Sequence, residues 1–271
     1  GSDTFEGVQM HAHHYRTPDI FEGKRVLVLG IGNSAVDIAV ESSRHAEETF
    51  LSMRRGAWIV PKYFGSKPTD RATTGPMSRL PLKVQSVGMW LTLKLAVGDP
   101  TDYGLPKPDH MPLHAHPTVS QDLLGRLGHG DIKVKKNIQR LDGDSVVFED
   151  GSREKVDIIV YCTGYKITFP FLAPEVFEAK DNTVDLFQRV VPPDRKGLYF
   201  IGLIQPLGAI MPLAEVQCDW VAELISGEAS LPDRLEMSRE IALDQAKMGR
   251  RFVNSKRHTV EVDFDPYLRA L

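Results

Sequence analysis

A chain of 271 residues is long enough to bury a large core in one or two domains. Its 42% hydrophobic and 25% charged residues are typical of a soluble globular protein, and its net charge of −3 excludes a strong field that would attract nucleic acid or anionic lipid. The two cysteines, Cys162 and Cys218, are too far apart to suggest a disulfide framework and instead indicate reduced thiols in a cytoplasmic protein.

Two further features argue against a membrane protein. The most apolar window, residues 87–97, is shorter than the about 20 residues that a helix needs to span a bilayer. No signal peptide opens the chain, and its last residues are polar. The sequence therefore predicts a cytoplasmic protein that has neither a membrane nor a nucleic acid as a partner.

The first elements in chain order predict a strand–helix–strand unit. Residues 1–23 read as an irregular segment rich in His, Gly and Pro. An apolar run at 24–29 predicts a strand, 33–44 predicts a helix, and 49–53 predicts a second strand. Such a unit is the minimum needed for a right-handed parallel crossover.

A proline-rich insertion at about 56–118 then interrupts this pattern and includes a predicted helix at 78–97. Insertions of this size usually form a lid, a domain contact or a mobile region. The elements expected after it are strands at 132–135, 145–149, 156–162 and 198–203, and helices at about 212–226 and 232–251.

The turn between the first strand and the first helix has the pattern of a dinucleotide-binding site. Gly30 permits a tight turn, Gly32 lets the backbone approach a pyrophosphate, and Ala35 keeps the helix close to the strand. Asn33 and Ser34 begin the helix, whose N-terminus offers free N–H groups and a partial positive charge to phosphates. We therefore expect these five residues to hold a dinucleotide pyrophosphate.

The end of the second strand indicates which dinucleotide fits. NAD sites carry an acidic residue there for the ribose 2′-hydroxyl, whereas arginine suits the 2′-phosphate of NADP. Here Arg54 and Arg55 follow Ser52, with no Asp or Glu among them. The planar guanidinium group favours NADPH, with Ser52 as an additional contact, although two solvated arginines at a strand end would give the same pattern.

Two groups of histidines have no convincing metal-site pattern. His11, His13 and His14 have no carboxylate or cysteine at useful spacing, and the second group, Asp109 with His110, His114 and His116, is more consistent with satisfied or solvated histidines than with a metal site. A zinc site needs a complete set of ligands and an ordered second shell. We expect no metal.

Four segments together resemble the flavin-containing monooxygenases, among the class B flavoprotein monooxygenases. The family's identifying sequence is similar to the segment with Phe5, Gly7, His11, Tyr15 and Arg16, and its NADPH-binding turn is similar to Gly30 to Asp37. The strand by which the family's chain re-enters its flavin domain is similar to Thr163 to Tyr165 with residues 169–172. The family's late flavin-side segment is similar to residues 198–205 with Pro212, Glu215 and Gln217. Tyr15 and Arg16 favour the heteroatom-oxygenating branch, because the similar Baeyer–Villiger signature ends in Trp and Pro.

The resemblance implies an α/β fold, with a Rossmann-like NADPH-binding domain and the C-terminal part of a second Rossmann-like domain for FAD. The expected divisions are a linker and signature at 1–23, the NADPH domain at 24–155, and the flavin-domain part with a tail at 156–271. Family members carry a separate FAD-binding turn well before the NADPH turn, whereas only 29 residues precede Gly30. We therefore expect a C-terminal portion that lacks the FAD turn.

The resemblance also implies chemistry. In the family, NADPH reduces FAD, and a C4a-hydroperoxyflavin formed with O2 transfers oxygen to a small-molecule substrate. A soft amine or sulfide is the expected substrate and a ketone the alternative. Tyr165, Gln205 and Gln217 are candidates for the nicotinamide or flavin side, and a structural role is equally consistent with each.

Other functions fit parts of the same pattern. Without the FAD turn, the chain could act as an NADP(H)-binding module with no turnover. A Baeyer–Villiger monooxygenase and a flavoprotein reductase share the two-domain design, but the absence of a CxxC motif argues against a disulfide reductase. Association with a second copy, as a homodimer, would cover an apolar face expected within residues 156–230.

Overall fold

The computed structural model describes residues 2–72, 80–251 and 259–271. These residues form two compact units. The first comprises the described residues within Gly1–Thr69, Ser86–Pro112 and Pro117–Gly164, and the second those within Asp70–Gln85, Leu113–His116 and Tyr165–Leu271. The proline-rich insertion therefore contributes to both units.

The strands, in chain order, are β1 Val8–His11, β2 Arg25–Leu29, β3 Glu48–Ser52, β4 Ile59–Val60, β5 Tyr63–Phe64, β6 Lys67–Pro68, β7 Thr118–Val119, β8 Ile132–Lys135, β9 Ile138–Asp142, β10 Ser145–Phe148, β11 Arg153–Lys155, β12 Ile158–Tyr161, β13 Gln205–Pro206 and β14 Glu261–Val262. The α-helices are α1 Asn33–Ser42, α2 Leu82–Ala96, α3 Leu123–His129, α4 Met211–Ser226, α5 Arg234–Arg251 and α6 Phe264–Ala270. Each predicted helix is present with shifted ends, and residues 78 and 79 of the helix predicted at 78–97 lie outside the described residues.

A five-stranded parallel sheet organises the first unit, in the order β1-β12-β2-β3-β8. Its central strands are mainly apolar because both of its faces are covered, and Val26, Leu27 and Val28 are fully buried. Helix α1 packs on one face, and the antiparallel sheet β9–β11 covers the other through Phe148. This arrangement confirms the predicted α/β class with a parallel sheet.

Two segments lie elsewhere than their predicted boundaries imply. Val8–His11, within the segment predicted to be an irregular linker, is the edge strand β1. Strand β12, predicted to open the second domain, lies between β1 and β2 in the first unit. The reason is backbone pairing: Ile158 is in register with Val8 on one side and Val26 on the other, so β12 joins β1 to the sheet.

The second unit is built from helices α4, α5 and α6 and irregular chain. The prediction of a strand at 198–203 is wrong, because the backbone of these residues forms isolated hydrogen bonds instead of a ladder with a neighbouring strand. Phe200 N–H donates to the carbonyl of Val190 at 2.9 Å, and Gly202 N–H donates to a side chain. A short parallel pair, β13 with β14, follows directly. Among the described residues, no helix is both long enough and apolar enough to cross a bilayer.

Candidate functional site

The turn after β2 requires glycine at its first position. Gly30 has a φ of +135°, and its N–H donates to the carbonyl of Ser52 at 2.9 Å. A Cβ at Gly30 would lie 2.7 Å from the carbonyl oxygen of Cys162 and 3.4 Å from the Cβ of Ala35. Both the backbone conformation and the neighbouring strand β12 therefore exclude a side chain here.

The N-terminus of α1 carries no capping side chain. Gly32 is the N-cap residue and makes no side-chain capping hydrogen bond, and backbone N–H groups at such a helix N-terminus commonly bind phosphates. Ala35 is fully buried between the helix and the sheet, as its predicted role requires. Ser34 lies in the same first turn and is partly buried. The predicted phosphate-binding residues are thus brought together at the carboxyl edge of the sheet.

Asn33 holds part of the insertion against this turn. Its Oδ1 accepts the backbone N–H of Val119 at 2.7 Å, and the Oγ1 of Thr118 donates to the carbonyl of Ile31 at 2.6 Å. Strand β7 therefore supports the glycine turn from the side. Sequence reasoning missed Thr118 and Val119, because a two-residue strand carries no periodic signal.

Ser52 does not have the orientation that its predicted contact with the 2′-phosphate requires. Its side chain is fully buried, and its Oγ donates to the carbonyl of Lys136 at 2.7 Å. This arrangement directs the hydroxyl to the neighbouring strand rather than to solvent. Ser52 therefore does not fit a direct contact with a ligand phosphate, and it instead fixes the strand end from which Arg54 and Arg55 follow.

Arg54 and Arg55 are both exposed just beyond β3. Arg54 makes no hydrogen bond or ion pair with any residue in the described part of the chain. The Nε of Arg55 lies 3.7 Å from Oδ2 of Asp109, and both side chains are more than half exposed. Such an exposed pair is weak, so the guanidinium group of Arg55 stays available to a phosphate.

Asp109 belongs to a small network that sequence reasoning did not assign. Its Oδ1 is 2.9 Å from Nδ1 of His110, and the carbonyl of His110 accepts the indole N–H of Trp58 at 2.7 Å. The hydrogen bond with His110 and the charge of Arg55 lower the pKa of the Asp109 carboxyl. Through this network, the loop that carries Arg55 contacts a segment 54 residues further along the chain.

The three predicted flavin-side or nicotinamide-side residues lie in the second unit. Tyr165 is half-exposed, and its carbonyl accepts the side-chain N–H of Asn182 at 3.0 Å. Gln205 is in β13, with its backbone N–H donating to Val260.

Gln217, by contrast, is fully buried and has both side-chain polar atoms engaged. Its Oε1 accepts from Gly202 N–H at 2.7 Å, and its Nε2 donates to the hydroxyl of Tyr267 at 2.6 Å. A structural role explains Gln217 completely.

The cysteines and histidines form no metal-binding group in the described ranges, and the two cysteines differ in burial. Cys162 lies behind the glycine turn, where burial raises the pKa of its thiol to about 12. Cys218 is exposed. Within residues 2–72, 80–251 and 259–271, no group of three or more His, Cys, Asp or Glu side chains could hold a metal ion.

The comparisons with known proteins agree with this geometry. The family described as flavin-binding monooxygenase-like matches residues 1–271. Flavin-containing monooxygenase 5 of Oryctolagus cuniculus is 41% identical over 272 residues, which are 97% of this chain and 51% of the relative. Flavin-containing monooxygenase 2 of Homo sapiens is 35% identical over 286 residues, with coverages of 100% and 52%. The chain spans about half the length of the curated relatives it matches.

Solved structures give the same result. S-allyl-L-cysteine S-oxygenase from Allium sativum superimposes with a TM-score of 0.62 at 26% identity, covering 100% of this chain and 48% of that protein. The OTEMO complex with FAD and NADP has a TM-score of 0.68 at 18% identity, with coverages of 100% and 69%, and supports the fold alone. On the match along its whole length, this chain belongs to the flavin-binding monooxygenase-like family.

Proposed function

We propose that this chain forms the NADPH-binding portion of an NADPH- and FAD-dependent monooxygenase that oxygenates a nitrogen or sulfur atom of a small molecule. One observation carries the proposal: the open glycine turn lies beside a strand end that presents two arginines. Gly30 excludes a side chain, and Arg54, in the next strand's loop, makes no ion pair with the described residues.

The residues present fit NADPH. Gly30, Gly32 and the first turn of α1 would bind the pyrophosphate through backbone N–H groups, with Ala35 allowing the close approach of helix and sheet. Arg54 and Arg55 would contact the 2′-phosphate, and Asn33 would fix the turn through Val119. The absence of an acidic side chain at this strand end favours NADPH over NADH.

The fit to FAD is narrower. Tyr165 and Gln205 remain candidates for the flavin side, whereas Gln217 acts through the fold because its amide has both partners within the second unit. Bound FAD, once reduced by NADPH, would supply the activation of O2. The names of the relatives support this cofactor, and the S-oxygenase of Allium sativum supports a soft nucleophile as the substrate.

Binding measurements test the proposal directly. We expect NADPH to raise the melting temperature more than NADH at equal concentration, because only NADPH offers the 2′-phosphate. Equal stabilisation by the two cofactors would contradict the assignment of NADPH. The visible spectrum of the purified chain tests the second cofactor, because bound FAD gives flavin absorption bands.

The alternative is an NADP(H)-binding module without turnover of its own. The structural use of Gln217 favours it, because one of the three predicted contacts to nicotinamide or flavin is then lost. A colourless chain that binds NADPH and stays colourless after incubation with FAD would support this alternative. Flavin bands together with substrate-dependent NADPH oxidation would support the monooxygenase.

Two further proposals concern the state of the protein. We place it in the cytoplasm, and we propose that a second copy covers apolar side chains exposed in the second unit. Phe171, Met211 and Ile225 are each more than two-thirds exposed, and these exposed apolar side chains support the proposal. Gel filtration that gives a monomer at high concentration would contradict the homodimer.

A further inference from the structure

Ser52 links the ends of three neighbouring strands. Its carbonyl accepts the N–H of Gly30, at the end of β2, and its Oγ donates to the carbonyl of Lys136, just after β8. Both contacts are shorter than 3 Å, and Ser52 has no exposed surface. The glycine turn and Lys136 are therefore held in a fixed relation by one buried residue.

The side chains of β8 alternate between the two faces of the sheet, and its two lysines share one face. The ammonium groups of Lys133 and Lys135 lie 5.9 and 5.7 Å from the ring centre of Phe50, on the face covered by β9–β11. Val134 packs on the opposite face, with the cluster that contains α1. Lys136 is the first residue after β8, and if the alternation continues for one residue its side chain lies on the face of α1, where the dinucleotide turn lies.

Lys136 differs from Lys133 and Lys135 in having no acidic partner among the described residues. Lys133 pairs with Glu48 and Lys135 pairs with Glu154. Lys136 is exposed, and its ammonium group makes no ion pair with any residue in the described part of the chain. Its positive charge is therefore available to a ligand.

We propose that Lys136 is a further specificity-determining residue of the nucleotide site and contacts the 2′-phosphate of NADPH; this inference rests on the proposed function. The ribose lies at the end of the second strand of such a unit, here β3, and the adjacent strand of a sheet is about 4.8 Å away. Lys136 follows that adjacent strand, whereas Arg54 follows β3 itself. Two cations would then approach the phosphate from neighbouring strand ends. Ser52 is the positioning residue that sets the backbone of Lys136.

Calorimetric titration with 2′,5′-ADP and with 5′-AMP tests this assignment, because the two probes differ only in the 2′-phosphate. We expect Lys136→Ala to weaken 2′,5′-ADP about fivefold and to leave 5′-AMP unchanged, as for one exposed charge contact. Lys136→Arg should restore most of the affinity. Lys24→Ala is the matched control, because Lys24 is an exposed lysine that precedes β2 at the opposite end of the sheet.

The positioning role of Ser52 has its own measurement. Ser52→Ala should weaken 2′,5′-ADP in the wild-type background and should have a smaller effect once Lys136 is alanine, since both changes act on one contact. Equal losses for both probes in Lys136→Ala, or no loss while the wild type prefers 2′,5′-ADP, would overturn the inference and leave the proposed function standing. A wild type that does not prefer 2′,5′-ADP would overturn the proposed function and this inference with it.

Discussion

The side-chain oxygen of Asn33 accepts the backbone N–H of Val119 at 2.7 Å, which joins the first residue of α1 to strand β7. An aspartate at this position would keep the acceptor and would add a negative charge at a helix N-terminus, where it is favourable by about 0.3–1 kcal/mol. The same charge would repel a bound pyrophosphate. Substitutions of Asn33 can therefore separate an effect on folding stability from an effect on cofactor binding.

We expect Asn33→Asp to unfold within about 1 kcal/mol of the wild type while binding NADPH about tenfold more weakly, a loss of about 1.4 kcal/mol. Asn33→Ala is the matched variant: it should lose about 1 kcal/mol of stability because the N–H of Val119 loses its partner. Urea unfolding and NADPH titration measure the two effects. An aspartate variant with unchanged NADPH affinity would remove Asn33 from the phosphate site.

Gly30→Ala tests the backbone requirement of the turn. The substitution forces an L-residue to a φ of +135° and brings its Cβ to 2.7 Å from the carbonyl oxygen of Cys162. Strain of this kind costs about 1–3 kcal/mol before any clash is counted, and we expect NADPH binding to be lost as well. Gly65→Ala is the control, because Gly65 also has a positive φ but has open space around it. Equal destabilisation of the two variants would contradict the close approach of β12.

Arg54→Ala tests the choice of cofactor. The guanidinium group of Arg54 has no partner among the described residues, so its removal should affect only the ligand. We expect the NADPH affinity to fall by about 1–3 kcal/mol and the NADH affinity to stay constant. Arg140→Ala, on β9, controls for the loss of an exposed arginine elsewhere. If the preference for NADPH survives in Arg54→Ala, two solvated arginines explain this strand end.

The two cysteines should differ in reactivity. Burial raises the pKa of the Cys162 thiol to about 12, so at pH 8 roughly one molecule in ten thousand carries the thiolate, whereas Cys218 is exposed. A chromogenic disulfide reagent should titrate one thiol in the native protein and two in urea. Rapid modification of Cys162 in the native protein would show that the region behind the glycine turn opens to solvent.

The same shift predicts an alkaline loss of stability. The unfolded thiol titrates near pH 8.5 and the folded one near pH 12, so the folded state holds its proton more tightly. The free energy of unfolding should therefore be constant below about pH 8 and should fall as the pH rises toward 12. Cys162→Ala should make this decline less steep. An unchanged slope would assign the decline to other groups, such as Tyr267, whose pKa burial also raises to about 12.

Gln217→Leu tests the structural role of the buried amide. The change would leave Gly202 N–H without its acceptor and Tyr267 without a donor, which should cost about 2–4 kcal/mol of stability. NADPH affinity should not change. Gln245→Leu is the control, because the Gln245 amide contacts Asp185 at the surface. A loss of flavin binding in Gln217→Leu without a loss of stability would return Gln217 to the cofactor site.

Local sequence pattern was sufficient to predict the strand–helix–strand segment that contains the glycine turn. Strand β2, helix α1 and strand β3 are adjacent in the chain, so their apolar runs, their glycines and the arginines after β3 could be interpreted together. The prediction of a strand at 198–203 was wrong because it depended on partners that are distant in the chain. An apolar run forms a strand only where other strands supply its hydrogen bonds, and Phe200 and Gly202 bond to a loop and to a side chain instead.

The sequence by itself determined that this chain carries an α/β unit with a dinucleotide turn and a cationic strand end. Only the tertiary structure decided that β12 lies beside β2, that Val119 supports Asn33, and that Ser52 bonds to Lys136 instead of facing a ligand. Each of these contacts joins residues more than 80 positions apart. Such contacts depend on which strands pair, and strand pairing satisfies backbone groups that are the same in every residue except proline, so no local pattern specifies it.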